Sequence, residues 1–285
     1  MLNMIRMDLY RLFRTKSMYV IWLVLAAGVF FSTYMSTLDV ESMKKQARQS
    51  EGEPYMAAEG EGAGNVNVGM TVSLPTLPGE KVTVADEVYA NLQAKFVALF
   101  LVIFAVLFSS GDISSGYIKN VGGQVRDRGG LILSKSVALM VFTGVSMLLY
   151  LAIQAAACRV FFGDMPVGDG RGLFRYFAAQ TLLHCGLMLI CMAVSVIIKS
   201  GVLSMVAAIC LTMNVMMIFY GWVDLILSKA GVKDFQVLSC TVTGRMAMMA
   251  MNPTDRECLL ALASAAAFGT GAVVLSALVF RKRDI

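Results

Sequence analysis

The stretch GDISSGYIKNVGGQVRDRGG, residues 111–130, is a long polar break between two apolar runs. Ser114 and Ser115 favour the start of a helix, and the glycine pair 122–123 favours its end. Between these signals an apolar residue returns at every fourth position, at Ile113, Tyr117 and Val121. A chain that only reverses its direction needs fewer residues. We therefore predict a short helix here that docks against a partner protein.

The composition indicates an integral membrane protein. Of 285 residues, 58% are apolar and 15% are charged, with a mean hydropathy of +0.71. Soluble domains average about 45–50% apolar and about 25% charged residues. The six cysteines form no C-x-x-C pair, and no His/Cys cluster has the spacing of a metal site. We expect one transmembrane domain over residues 1–285, with no metal and no nucleic-acid partner.

Apolar runs predict an all-α, polytopic fold with six transmembrane helices, because a bilayer core needs about 20 helical residues. The predicted spans are residues 17–38, 92–111, 136–158, 176–198, 200–223 and 258–280. In the second span the uncharged run is only Phe96–Gly111. This span therefore needs Lys95 to extend its amine to the membrane interface.

Residues 1–16 predict an amphipathic helix in the membrane interface, with apolar residues three or four apart and four basic residues between them. A cleavable secretory signal is the alternative, but the apolar run is too long and residues 32–35 are a poor cleavage site. The N-terminus, residues 111–135, Lys199 and residues 281–285 together hold 12 Lys/Arg and 4 acidic residues. This excess predicts that both termini are on the cytoplasmic side of the plasma membrane.

Two longer segments are predicted on the outer side. In residues 39–91 the alternation over Val66–Leu74 predicts a strand, which residues 82–84 would complete as a small β-hairpin. An ordered loop without a sheet is the alternative, since an isolated hairpin is marginally stable. In residues 224–257 the half-apolar part, 235–251, predicts a short re-entrant or interface helix. Residues 252–255, NPTD, predict the start of the last span.

The chain lacks the motifs of an enzyme. No Walker A loop, G-x-S-x-G or H-E-x-x-H motif occurs, so we expect no catalytic residue and no bound cofactor. Polar residues within the predicted spans are few, and His184, Gln180 and Asn214 are the candidates for substrate contact. The other interpretation of His184 is a neutral ring bonded to a neighbouring helix. Without charged or broken helices at mid-membrane, an ion-coupled carrier is disfavoured.

Two stretches resemble the permease subunits of ABC-2-type transporters, the class that includes bacitracin and lantibiotic immunity exporters. The first is MIRMDLYRLFRTKSMYVIW, residues 4–22, a basic amphipathic helix that leads into a span. The second is DISSGYIKNVGGQVRDRGGLILSK, residues 112–135. Within it, the order of residues in the family is matched by Asp112, Gly116, Ile118, Lys119, Asn120, Arg126 and Lys135. Asp112 stands where Glu is more usual.

This resemblance implies a half-transporter that exports a peptide, a lipid-like or a drug-like substrate. Two permeases, identical or not, would assemble with two separate ATPase subunits that bind ATP and Mg²⁺. The cytoplasmic coupling loop, residues 112–130, would dock on the ATPase through its helix. The implied coupling residues are Ser114, Ser115, Gly116, Tyr117, Ile118, Lys119, Asn120, Val121 and Arg126. The alternative function is a sensor that binds an extracellular peptide through residues 39–91 and transports nothing.

Overall fold

The computed structural model describes residues 2–49, 70, 72–76, 81–114, 129–229 and 236–282. These ranges contain helices and no strand. The helices are α1 (Leu2–Arg14), α2 (Lys16–Gln49), α3 (Val84–Gln93), α4 (Phe96–Ser114), α5 (Gly129–Phe162), α6 (Gly170–Ile198), α7 (Gly201–Thr212), α8 (Met217–Lys229), α9 (Val237–Cys240), α10 (Val242–Met248) and α11 (Asp255–Arg281).

The helical membrane architecture agrees with the sequence, but two spans are broken. Among the described residues, α2, α5, α6 and α11 are each long and apolar enough to cross a membrane. Two helix pairs pass the same criterion together, α3 with α4 and α7 with α8. The first pair is bent by 49° and the second by 60°. There are six spans if each bent pair counts as one. The expectation of unbroken helices over residues 92–111 and 200–223 is therefore wrong.

Short polar motifs start the helices that border the outer segments. The Thr83 side chain accepts a hydrogen bond from the Asp86 backbone N–H, and the Asp86 carboxylate accepts one from the Thr83 backbone N–H. The same reciprocal arrangement joins Thr254 and Glu257 at the start of α11, as residues 252–255 predicted. Such capping boxes satisfy backbone donors that have no partner within the helix. Residues 82–84 consequently lead into α3, and the prediction that they form a β-strand is wrong.

Helix α6 lies at the centre of the bundle, in contact with α4, α5, α7, α10 and α11. Its closest neighbour is α11, and small residues allow that approach. A Cβ atom added to Gly186 would lie 3.1 Å from the Ala265 Cα, and one added to Gly269 would lie 3.1 Å from Leu189 Cδ1. Close backbone approach over small residues is a common way for membrane helices to pack, since the lipid supplies no hydrophobic driving force between them.

Aromatic side chains join α2, α4 and α5. The Trp22 ring stacks on Phe142 with centroids 6.3 Å apart, and its Nε1 donates to Ser146 Oγ at 2.8 Å. Phe104 of α4 stacks on the same Phe142 ring, with centroids 4.0 Å apart. The indole N–H is thereby satisfied inside an apolar layer, which buried tryptophan requires.

Helix α1 packs against α5, and Thr15 separates it from α2. Leu12 is fully buried while Leu2 and Tyr10 are exposed, so α1 has the two-sided character that residues 1–16 predicted.

In the segment between α8 and α11, the helices α9 and α10 are short. Helix α10 contacts α3, α6 and α11, and its Met246 is 0% exposed. A short helix inserted against the spans fits the re-entrant interpretation of residues 235–251.

Candidate functional site

A row of polar side chains begins inside α3 and ends at its break from α4. Glu87 and Asn91 lie one turn apart on the same helix face, and Lys95 follows four residues later. We call these three residues the polar seam. Glu87 and Asn91 are 0% exposed and Lys95 is 1% exposed. Ionisable side chains at such depth are rare in membrane helices and mark candidate functional sites.

Hydrogen bonds connect the outer part of the polar seam to α2 and α5. Asn91 accepts a bond from Ser32 Oγ at 2.9 Å and donates to Gln154 Oε1 at 3.2 Å. Gln154 in turn donates to Thr33 Oγ1 at 3.0 Å. The side-chain amides of Asn91 and Gln154 thereby find hydrogen-bond partners, as buried polar groups generally do.

Glu87 is the incomplete member of this network. Its Oε2 accepts a bond from Ser36 Oγ at 3.3 Å, and its Oε1 has no partner among the described residues. The Tyr150 hydroxyl, also fully buried, lies within electrostatic reach of the Glu87 carboxyl group. The polar seam therefore keeps one carboxylate oxygen that has no hydrogen-bond donor among the described residues.

The two broken spans meet at Lys95 and Asn214. Lys95 Nζ donates a hydrogen bond to Asn214 Oδ1. Both residues have left-handed backbone angles, with φ of 60° at Lys95 and 57° at Asn214. Around the second break, Val215 N–H donates to the carbonyl of Cys210, five residues earlier, at 3.0 Å. Residues other than glycine adopt positive φ at a cost, which the surrounding structure has to offset.

His184 of α6 lies within electrostatic reach of this contact, and Gln180 is one turn away on the same helix. His184 is fully buried, and the Lys95 amine is within electrostatic reach of its ring. His184 Nδ1 lies 2.7 Å from the Gln180 backbone oxygen, while Nε2 has no partner in the described part of the chain. The Gln180 side chain donates to the Met246 carbonyl of α10 at 2.9 Å. We call Lys95, Asn214, His184 and Gln180 the break crossing.

A third polar group lies where α4 and α5 approach residues 115–128. Ser134 Oγ donates to the Asp8 carboxylate, which links α5 to α1. Lys135 Nζ donates to the Phe108 carbonyl oxygen at 3.2 Å and lies 5.1 Å from the Phe108 ring centroid. We call these four residues the loop junction. It ties α1, α4 and α5 together at the two ends of the predicted coupling loop.

Of the three predicted substrate-contact residues, Asn214 bonds to Lys95, and His184 lies within electrostatic reach of the Lys95 amine. Gln180 is one turn from His184 on α6 and bonds to the Met246 carbonyl. The expectation that the His184 ring bonds to a neighbouring helix is wrong among the described residues: its bond goes to the Gln180 backbone of its own helix. Of the predicted coupling residues, Ser114 is the last residue of α4. The others, Ser115, Gly116, Tyr117, Ile118, Lys119, Asn120, Val121 and Arg126, lie outside the described residues, as do residues 66–69 and 71 of the predicted strand.

Sequence reasoning missed the polar seam because residues 84–91 were assigned to an outer loop. Lys95 was expected to reach the membrane interface, and this prediction is wrong: its amine turns inward to Asn214. The expected absence of broken or charged mid-membrane helices is wrong for the same reason. One signal could have revealed α3, the helix-start pattern T-x-x-D at Thr83–Asp86 ahead of an apolar run. With α3 in place, Glu87, Asn91 and Lys95 share a four-residue spacing.

No protein-family model matches the chain, and no curated protein matches it. What the site can do therefore follows from its own residues. The break crossing supplies an amine, an imidazole and two amides inside the bundle, next to two interrupted helices. Interrupted helices at this depth are where many transporters bind substrates or ions, because the break frees polar backbone groups.

Proposed function

We propose that the chain is the permease subunit of an ATP-driven ABC exporter. In this proposal two permeases and two separate ATPase subunits move a peptide, a lipid-like or a drug-like substrate across the plasma membrane by alternating access. The resemblance of residues 4–22 and 112–135 to ABC-2 permeases suggests the class. The helical bundle, the amphipathic α1 and the short α9–α10 segment are compatible with it.

The loop junction is the observation that carries the proposal. A partner that moves residues 115–128 acts on the ends of α4 and α5. Lys135 joins those ends through the Phe108 carbonyl, and Ser134 joins α5 to α1 through Asp8. A displacement of the loop would therefore reach three helices together. Such rigid-body transmission is what an ATPase-driven change between inward and outward states requires.

A second candidate function is an ion-coupled secondary carrier, and the polar seam favours it. A carrier of this kind uses broken helices and buried ionisable residues near mid-membrane. Glu87 and Lys95 are ionisable, buried and placed along one broken span. This candidate needs no ATPase partner, so the two functions make opposite predictions for purified complexes.

The test is to purify the tagged full chain from its native membrane in mild detergent, then identify the co-purifying proteins and measure ATPase activity. The exporter proposal expects a stoichiometric protein with a Walker A motif and measurable hydrolysis. The Tyr117→Asp substitution should abolish the permease's stimulation of ATP hydrolysis by the ATPase, because it places a charge on the predicted docking face. The permease itself should remain folded and assembled. Tyr117→Phe is the matched control and should retain stimulation.

A preparation without an ATPase contradicts the exporter proposal. Substrate uptake by liposomes that contain the chain alone, driven by an ion gradient, would then support the carrier. Peptide binding without transport would support the sensor instead.

A further inference from the structure

Lys95 is a buried amine without an acidic partner. Its one hydrogen bond among the described residues goes to a neutral amide, that of Asn214, and no described carboxylate pairs with it. Glu87 is two turns away along the seam, roughly 12 Å at 1.5 Å per residue. Buried charges in proteins are normally paired, because an unpaired charge loses its hydration without compensation. The position therefore favours an anionic partner that the described residues do not supply.

The first turn of α4 adds to this preference. Leu99 N–H donates to the Lys95 carbonyl at 3.1 Å, so Lys95 is the residue from which α4 starts. The N-terminal end of a helix carries a partial positive charge, which favours an anion within the first turn.

The neighbouring side chains restrict which anion fits. A carbonyl oxygen only accepts, so the His184 Nδ1 proton is donated to the Gln180 backbone and Nε2 is left as an acceptor. Gln180 Oε1 is also buried and has no partner in the described ranges. The break crossing thus holds an amine that can donate further bonds and two acceptors that lack a donor. A phosphate monoester monoanion meets both requirements at once, because it keeps one O–H beside its anionic oxygens. A carboxyl group meets only one of them at a time, as the carboxylate or as the acid.

The surface beside the break suits an apolar tail. Helix α8 starts three residues after Asn214 and has no buried residue. Ile218 and Phe219, in its first turn, are 64% and 63% exposed. A molecule with an acidic head at Lys95 could therefore extend an alkyl chain along α8.

We propose that the break crossing binds the carboxylate or phosphate head group of an amphiphile, which displaces the Asn214 amide from Lys95. The bound head group takes over the Lys95 hydrogen bond, and a head group that keeps a proton donates it to the His184 acceptor. Loss of the Lys95–Asn214 bond frees the two breaks from each other. The site itself is independent of the ATPase, whereas the role of the amphiphile as the exported substrate rests on the proposed function.

The test uses the purified full chain in phosphatidylcholine nanodiscs and equilibrium binding of radiolabelled decyl phosphate and decanoate. Decanol and decyltrimethylammonium carry the same tail without an acidic group. We expect saturable binding of one or both acidic probes, and only partitioning of the other two. The two acidic probes separate a phosphate site from a carboxylate site.

Variants locate the binding. Lys95→Gln should weaken it by at least about tenfold, as expected when one partner of a buried charge contact is removed. The matched control is Lys199→Gln, because Lys199 also has a positive φ, 66°, but is exposed; its binding should be unchanged. Asn214→Gly keeps the left-handed backbone accessible and removes the competing oxygen, so binding should tighten by about fivefold.

Equal binding by the native chain and Lys95→Gln would overturn the site. Weaker binding by Asn214→Gly would overturn the displacement of Asn214. Should Lys95→Gln fail to fold, the Asn214→Gly result still decides, and Lys95→Arg retains the charge for comparison. This assay contains no ATPase, so probe binding decides only whether the site exists. The exporter is contradicted separately, by a native-membrane preparation that yields no co-purifying ATPase, and that result would leave the site standing.

Discussion

The two broken spans differ in how the bundle surrounds them. In the first, seven of the ten residues of α3 are buried; in the second, none of the thirteen residues of α8 is. Helix α3 is packed by α5, α6 and α10, whereas α8 has its main contact with the short α9. A helix break by itself therefore does not determine whether the adjoining segment belongs to the core.

The two broken spans also differ in the side chains that they present, which are polar on α3 and apolar on α8. The buried side of α3 carries Glu87 and Asn91, which are linked to α2 and α5, while α8 presents apolar side chains outward. Lys95 and Asn214 join the two spans where they cross. We infer that α3 and α4 form the fixed side of this contact and that α8 is free to pack against lipid, a second subunit or an amphiphile. A segment with few buried contacts opens at a lower free energy than a segment packed in the core.

The largest expected effect comes from the same substitution in the two outer helices. Leu92 of α3 is 0% exposed and Leu225 of α8 is 54% exposed. Leu92→Ala should lower the free energy of unfolding by about 2–5 kcal/mol, because it leaves a cavity in a packed core. Leu225→Ala should lower it by less than about 0.5 kcal/mol, the range for surface positions. Unfolding in mixed SDS micelles, followed by circular dichroism, measures both values.

Equal losses for the two variants would show that α8 is covered by something in the purified protein, such as a second copy of the chain. Gel filtration of the native chain tests this case, because a second copy on α8 would make the chain elute as a dimer. The comparison of the two broken spans would then apply only to the isolated chain.

A double-mutant cycle on Lys95 and Asn214 should give the next largest effect. Lys95→Gln, Asn214→Gly and the double variant isolate the energy of the contact that joins the two breaks. We expect a coupling energy of about 0.5–3 kcal/mol, the range for residues in direct contact. Lys199→Gln combined with Asn214→Gly is the control pair and should be additive, because Lys199 is exposed.

Much of the fold could be predicted because span length and apolar composition are local properties. The runs 136–158, 176–198 and 258–280 correspond to α5, α6 and α11, each with a few further residues at its ends. The start of α11 was predicted by residues 252–255 because a capping box is contained in four residues. The amphipathic spacing of residues 1–16 predicted α1 because this spacing is also a local pattern.

The breaks and the polar seam could not be predicted from local pattern. Lys95 next to an apolar run usually reaches the interface, and only the presence of Asn214 on another span turns it inward. That pairing joins residues 119 positions apart, which no sequence period encodes. The prediction of a strand at residues 82–84 is wrong because the capping box at Thr83 starts a helix there instead.

The smallest expected effect compares two serines. Ser32 of α2 donates to Asn91 Oδ1 across helices, while Ser228 of α8 donates to the Leu225 carbonyl of its own helix. Ser32→Ala should cost about 1 kcal/mol of unfolding free energy, because Asn91 Oδ1 loses its donor inside the bundle. Ser228→Ala should be nearly neutral, since the carbonyl keeps its helical bond and the site is exposed. A neutral Ser32→Ala would mean that water replaces the hydroxyl and that the polar seam is hydrated, which would weaken the distinction between a sealed α3 and an open α8.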